Sequence, residues 1–266
     1  MTLLSVSALS HQYPHAGLRD RHQHQAVLKT ISLDLKSSET VALLGRSGCG
    51  KSTLARMLAG LESPTEGSVS WRGTPLSQLN RAKKKEFLRE IQMVFQDPIS
   101  AVNPRKTVRE IIREPMRHLL SLSKSEQIAR ACEMLHAVGL DNSVLDKRPS
   151  QLSGGQLQRI CLARALAVKP KLLILDEAVS NLDLVLQAGV IGLLKNLQQQ
   201  FGTACLFITH DLRLVERFCH RVIVMDEGKI VEKQTVGETL TFSSDAGRRL
   251  QNAILPVFPT RRRPTV

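Results

Sequence analysis

Residues 45–52 read Gly-Arg-Ser-Gly-Cys-Gly-Lys-Ser and fit G-x-x-x-x-G-K-[ST], the pattern of a phosphate-cradling loop. The flanks agree with it. An apolar run, Thr40 to Leu44, leads in, and Leu54, Leu58 and Leu61 follow at helical spacing. Strand, glycine-rich turn and helix in that order commit the chain to an α/β sheet, with the loop at the C-terminal end of a strand. Gly45, Gly48 and Gly50 are expected to let the backbone approach a phosphate with no Cβ in the way. The amides from Arg46 and Ser47 through Cys49 to Thr53 then face anionic oxygens at a helix start, where the dipole favours negative charge. Lys51 is placed to bridge the β- and γ-phosphates, and the Ser52 hydroxyl to ligate Mg²⁺. ATP and Mg²⁺ are thus the expected ligands.

A second glycine-rich turn follows at Leu152-Ser153-Gly154-Gly155-Gln156, ahead of a helical pattern through Ala165. Read plainly, Ser153 caps a helix. Read as chemistry, bare amides at a helix start make another anion site. One chain does not need two cradles for one nucleotide, so this one is expected to face the γ-phosphate held by a different subunit. The third element is Leu172-Leu-Ile-Leu-Asp176-Glu177. Four apolar residues suit a buried parallel strand, and the carboxylates fall at its C-terminal end, where open α/β sheets bind ligands. Asp176 is the candidate Mg²⁺ ligand and Glu177 the candidate general base for the attacking water.

Phosphate loop, Leu-Ser-Gly-Gly-Gln and apolar-Asp-Glu strand, in this order, resemble the nucleotide-binding subunits of ABC transporters over nearly the whole chain. The resemblance implies four further residues. Gln96, in Met93-Val-Phe-Gln-Asp97, is similar to the glutamine that touches Mg²⁺ and couples the site to membrane subunits. Asp183, in Ser180-Asn-Leu-Asp, resembles the aspartate of the dimer-interface loop. His210, in Phe207-Ile-Thr-His-Asp211, resembles the γ-phosphate sensor, and Tyr13, in His11-Gln-Tyr-Pro14, the aromatic that stacks on adenine. The residues themselves leave plainer roles open: a packed turn for Tyr13, a satisfied histidine for His210, a solvated loop residue for Gln96. Ala178-Val179 stand where most relatives have Pro-Thr, a change expected to tune the loop without touching the chemistry.

The fold expected on this basis is a P-loop NTPase core of α/β class, with an antiparallel β-subdomain and an inserted helical subdomain. Core segments are assigned to 1–96 and 166–240, and the helical subdomain carrying the signature to 97–165; residues 241–266 form a basic C-terminal tail. Strand signals lie at 40–44, 68–72, 172–176, 205–209 and 222–225, whereas 107–165 carries helical ones. Val190, Leu193, Leu194, Leu197 and Phe201 share a helix face expected to pack on the sheet. Val222 to Met225 and Lys229 to Glu232, around Asp-Glu-Gly, read as a hairpin.

No apolar stretch approaches the roughly 20 residues that span a bilayer, and the start of the chain does not read as a secretory leader. The expected location is the cytoplasmic side, reaching the membrane through partners. Five cysteines without C-x-x-C spacing fit a reducing compartment. Cys49 differs by lying inside the phosphate loop; thiol modification there is expected to inactivate, and ATP to protect. The net charge of +13, from 37 Lys and Arg against 24 Asp and Glu, suits a solvated face or anionic lipid headgroups. With one tyrosine and one tryptophan, base-stacking platforms are scarce, and no nucleic-acid partner is expected. His11, His15, His22 and His24 cluster near the start and read as an exposed loop, with a weak nickel contact as the sharper alternative.

Phe95-Gln-Asp-Pro-Ile-Ser-Ala-Val-Asn-Pro-Arg105 resembles a segment of ATPases in the dipeptide, oligopeptide and nickel import branch. The phosphate loop, Ile91 to Asp97, Asp176 to Gln187 and the tail Phe242-Ser-Ser-Asp-Ala-Gly are closer to the nickel-import members. The resemblance implies a peripheral protein of a bacterial inner membrane. Its partners are a second ATPase subunit (a paralogue, giving a heterodimer), two integral membrane permease subunits and a periplasmic nickel-binding protein. A dipeptide or oligopeptide importer is the alternative. A nucleic-acid-handling ABC ATPase is more remote, because the interval from Lys51 to Ser153 holds neither a heptad run nor cysteine pairs.

Overall fold

The computed structural model describes residues 1–14, 24–179, 184–237 and 240–253. The chain opens with two long strands, β1 (Thr2–Pro14) and β2 (His24–Lys36), paired antiparallel with Val6 opposite Leu33 and Tyr13 opposite Gln25. After β3 (Thr40–Gly45) and α1 (Lys51–Leu58), β4 (Glu66–Trp71) returns to the free edge of β1, and the two-residue β5 (Thr74–Pro75) completes a four-stranded antiparallel sheet. The second sheet has the order β10-β9-β3-β8-β7-β6. It comprises β6 (Ile91–Val94), β7 (Leu172–Asp176), β8 (Ala204–Ile208) and β9 (Arg221–Asp226) parallel to β3, with β10 (Lys229–Thr235) antiparallel at one edge.

Alternation along the parallel strands explains how this sheet becomes the middle layer. Val41 and Leu43, with Ile174, Leu206 and Ile208, point into a core shared with β1, β2, β4 and α1. Ala42 and Leu44, with Leu173, Leu175 and Phe207, point into the opposite core. Strands apolar at every position are those buried on both faces. The first core packs Leu54, Met57 and Leu58 of α1 between the two sheets, fixing the helix whose start carries the phosphate loop.

α2 (Arg81–Glu90) leads into β6, and the chain then leaves the sheet for α3 (Val108–Leu119), α4 (Lys124–Ala137) and α5 (Gly154–Leu166). Each of these three starts with a reciprocal capping box: Thr107 with Glu110, Ser123 with Glu126, Ser153 with Gln156. Such a cap is worth about 0.5–2 kcal/mol, so three Ser/Thr-x-x-Glu/Gln signatures define the starts of the lobe's helices locally. α6 (Leu184–Phe201), α7 (Leu212–Phe218) and α8 (Asp245–Asn252) pack on the face away from the antiparallel sheet. α8 is held from β10. Glu232 accepts hydrogen bonds from the amides and hydroxyls of both Ser243 and Ser244, which overcome its partial burial and pull its carboxyl down to about 2.

Three expectations change. β1 and β2 were not among the strand signals, and His11 and His24, expected in an exposed loop, lie in these paired strands. β6 was not among the strand signals, because Ile91-Gln-Met-Val is short and finds its partner only across the chain, in β7. Phe201 does not join its helix face in the core: it is 41% exposed, with the Lys169 ammonium 5.3 Å above its ring. Among the described residues no helix is long and apolar enough to cross a membrane.

Candidate nucleotide site

β3 ends at Gly45, and α1 begins at Lys51 with Gly50 as its N-cap at φ +102°. The loop between them borders a pocket of 170 Å³ lined by Val27, Ser47, Gly48, Gly50, Lys51, Ser52, Thr53, Gln96 and Glu177. Packing adds a second reason for glycine at two of the three positions. A Cβ on Gly45 would lie 2.4 Å from the Met225 carbonyl oxygen and 2.6 Å from Cys49 Sγ, and one on Gly50 2.7 Å from Leu28. Those two are demanded by the protein's own packing; only Gly48 borders open space. Lys51 is 8% exposed, and its ammonium donates to the carbonyls of Gly45 (2.8 Å) and Arg46 (2.9 Å), which keeps a buried cation satisfied.

The acidic side of the pocket is Glu177, directly after β7; Asp176 ends that strand and is not itself a lining residue. Asp176 is 4% exposed, and burial pushes its carboxyl above the ordinary carboxylate range; the charge of Glu177 adds to this, while the Ser52 hydroxyl and Lys51 oppose it. Its Oδ1 is buried with no hydrogen-bond partner. An orphaned buried carboxylate oxygen beside a serine hydroxyl, with a glutamine amide on the same pocket, is a donor set that fits Mg²⁺ and its hard oxygen ligands. Glu177 sits at φ +49°, a left-handed conformation costing of order 1–3 kcal/mol for a residue with a side chain. Its amide donates to the Ile208 carbonyl at 3.0 Å, tying it to β8, and its Oε2 accepts from Gln96 Nε2 at 2.9 Å. Gln96 and Glu177, far apart in sequence, thus meet across one pocket.

Other expected residues lie around this centre. His210 is exposed just beyond β8 and makes no hydrogen bond to a described residue. Tyr13 does not line the pocket; it is linked to it through Arg56, whose Nη2 reaches both the Tyr13 hydroxyl (3.2 Å) and the Thr53 hydroxyl (3.4 Å). Leu152, Ser153, Gly154, Gly155 and Gln156 cap and open α5, and none of them lines the pocket. A Cβ at Gly154 would meet nothing within 4 Å, so this helix start faces open space. Asp183 lies outside the described residues, as do His15 and His22 and the arginines at 261–263. Among the described residues no group of three His, Cys, Asp or Glu side chains is placed to hold a metal ion. Val27 is a pocket residue without a sequence signal, because only the pairing of β2 with β1 brings it over Gly50.

Residues 28–180, running from β2 past the Asp-Glu strand, match the family model described as ABC transporter. The chain belongs to the ABC transporter family. This family member is 80% identical over 265 residues, 100% of its length, to the nickel import ATP-binding protein NikE of Escherichia coli (strain K12), covering 99% of that protein. The same figures hold for the nickel import ATP-binding protein NikE of Shigella sonnei (strain Ss046). Among solved structures it resembles the ATP-binding cassette MJ0796, as a dimer in a post-hydrolysis state bound to ADP and Pi. The TM-score is 0.81 and the identity 28%, over 88% of this chain and 99% of that one. The expected α/β cassette, with its antiparallel sheet and helical insertion, is the fold observed.

Cys49 of this ABC transporter chain is 5% exposed. Burial pushes its thiol up, and the Lys51 ammonium offsets only part of the rise. Since the thiolate is the nucleophile, maleimide labelling of Cys49 is expected to be slow at pH 7, to accelerate toward pH 9, and to slow on adding ATP at either pH. Peptide mapping of the labelled protein checks this; a rate indifferent to ATP would remove Cys49 from the nucleotide's neighbourhood.

Proposed function

We propose that this chain is the ATP-hydrolysing subunit of a nickel importer, bound peripherally to the cytoplasmic side of a bacterial inner membrane. The observation that carries this reading is 80% identity along the full chain to proteins named for nickel import and ATP binding. It is supported by the convergence of Lys51, Ser52, Gln96 and Glu177 on one pocket.

In this reading the triphosphate enters the pocket along the amides from Arg46 to Thr53, and Lys51 exchanges the Gly45 and Arg46 carbonyls for phosphate oxygens. Ser52, Gln96 and Asp176 would hold Mg²⁺, which would supply neutralisation of phosphate charge. Glu177 accepts a proton from the attacking water, and His210 steadies the γ-phosphate. Tyr13 offers its ring to adenine. Ser153, Gly154 and Gly155 present amides at the start of α5 to the ATP of a second ATPase subunit, with Asp183 at the same interface. Consistent with that role, the signature faces open space and stands apart from this chain's own pocket.

Transmission to two membrane permease subunits runs through the segment after Gln96, which is stitched to the signature helix. Gln158 Nε2 donates to the Phe95 carbonyl at 3.3 Å, and Arg164 Nη1 to the Ala101 carbonyl at 2.7 Å. A shift of α5 on closure of the ATPase pair is therefore felt at Gln96. A periplasmic nickel-binding protein and a paralogous ATPase complete the assembly. In this reading ion selectivity rests with those partners, where ligand type and geometry choose the metal. Deleting this chain from its host is expected to abolish ⁶³Ni uptake and leave dipeptide uptake intact; loss of dipeptide uptake with normal nickel uptake would reassign the cargo.

A further inference from the structure

Tyr13 is the only tyrosine of the chain and the penultimate residue of β1, at a strand end where a side chain ordinarily samples several rotamers. Here it has no such freedom. Its hydroxyl donates to Glu62 Oε2 at 2.5 Å, and Arg56 Nε donates to Glu62 Oε1, also at 2.5 Å. Arg56 Nη2 closes the triangle on the Tyr13 oxygen at 3.2 Å. All three members are half-buried, where charge-assisted hydrogen bonds of this length are strong. His11 adds an edge-to-face contact, ring centroids 4.5 Å apart. The triangle joins three separate pieces of chain: the end of β1, the last turn of α1 and the segment after α1. Its remaining bond, from Arg56 to the Thr53 hydroxyl, lands on a pocket residue in the first turn of α1.

We infer that Arg56 and Glu62 are positioning residues for nucleotide binding: they clamp Tyr13 by its hydroxyl and reference its ring to the first turn of α1. This rests on the reading of Tyr13 as the adenine platform. The clamp holds the polar end of the side chain, and His11 packs edge-to-face with the ring; the base of the proposed reading stacks on the ring area that these contacts leave. A platform fixed before the base arrives loses no rotamer freedom on binding, which for one side chain corresponds to about a two- to tenfold gain in affinity. Because the base is the part of the ligand that the ring would meet, the gain belongs to the nucleoside half. The phosphate half is held by the loop, whose geometry is set by packing against Met225 and Leu28 rather than by the triangle.

Two probes separate the halves: ATP, and inorganic tripolyphosphate, which has no base. Calorimetric titration of the full chain is expected to show that Glu62→Ala and Tyr13→Phe each weaken ATP about two- to tenfold and leave tripolyphosphate unchanged. In turnover assays KM for ATP should rise with kcat held. The double variant should lose no more than either single one, because both cut the same tether. Tyr13→Ala, which removes the ring, is expected to weaken ATP further and again spare tripolyphosphate. If Tyr13→Ala weakens ATP while Tyr13→Phe and Glu62→Ala bind it like the parent, the clamp is overturned and the platform stands. If Tyr13→Ala also binds ATP like the parent, the platform reading falls and takes the clamp with it. A Glu62→Ala protein that loses affinity for both probes would make the triangle a fold element only. Tyr13→Phe, which deletes one oxygen, keeps the test alive should Glu62→Ala fail to fold.

Discussion

Lys51→Ala is expected to weaken ATP binding by about 30- to several-thousand-fold, corresponding to the roughly 2–5 kcal/mol lost when one partner of a close charge pair is truncated. The size of the effect follows from where the ammonium sits. Lys51 is 8% exposed, so little water can replace it as a counter-charge to the β- and γ-phosphates. In this structure the ammonium is satisfied by the Gly45 and Arg46 carbonyls, both within the loop. Arg46 is exposed, so water can take over at its carbonyl, and the variant is expected to fold with only a modest drop in Tm. Calorimetry with ATP, alongside a thermal melt, checks both halves. A folded Lys51→Ala protein with parental affinity would mean that the triphosphate does not lie on this loop.

Glu177→Gln is expected to retain ATP and lose turnover by about 10²–10⁴-fold, the usual size of a general-base contribution. The substitution keeps the side-chain volume and leaves an oxygen that can still accept from the Gln96 amide at the 2.9 Å contact. Binding therefore has no reason to change. What is lost is the capacity to take a proton from water. The left-handed backbone at φ +49°, pinned by the bond to Ile208, holds the side chain at this pocket in both proteins. Single-turnover hydrolysis by the assembled complex is the deciding measurement, and full activity would hand the role of base to another group. On the proposed reading, in which hydrolysis reopens an ATPase pair, the ATP-loaded pair should persist in the variant.

Much of this site was legible in one dimension because its parts are contiguous. The phosphate loop is a strand end, a turn and a helix start with no break between them, so eight consecutive residues carry the geometry. The signature is equally local: Ser153 and Gln156 form a capping box within a single turn of α5. The Asp-Glu pair is announced by the apolar run of β7. The parts that escaped are those whose partners are distant in sequence. The meeting of Gln96 with Glu177 depends on β6 lying next to β7. Val27 reaches the pocket through the antiparallel sheet, and the Tyr13–Glu62–Arg56 triangle through the seating of α1 between the sheets. A further reason for glycine at position 45 was also hidden, since a Cβ there would meet Met225 on β9.

Local chemistry, then, determined which ligand this chain handles: closely spaced amides, one lysine and a pair of carboxylates write their affinity for a triphosphate into short stretches of sequence. Tertiary structure decided how those stretches are aimed. Strand order set which side chains face each other across the pocket, and packing of α1 between two cores set where the aromatic ring is anchored. It also placed the signature, at the start of α5, outside this chain's own pocket. The physical reason is range: caps and turns are set by neighbours a few bonds away, whereas sheet order and helix seating are set by the burial of apolar faces that only the whole chain can complete.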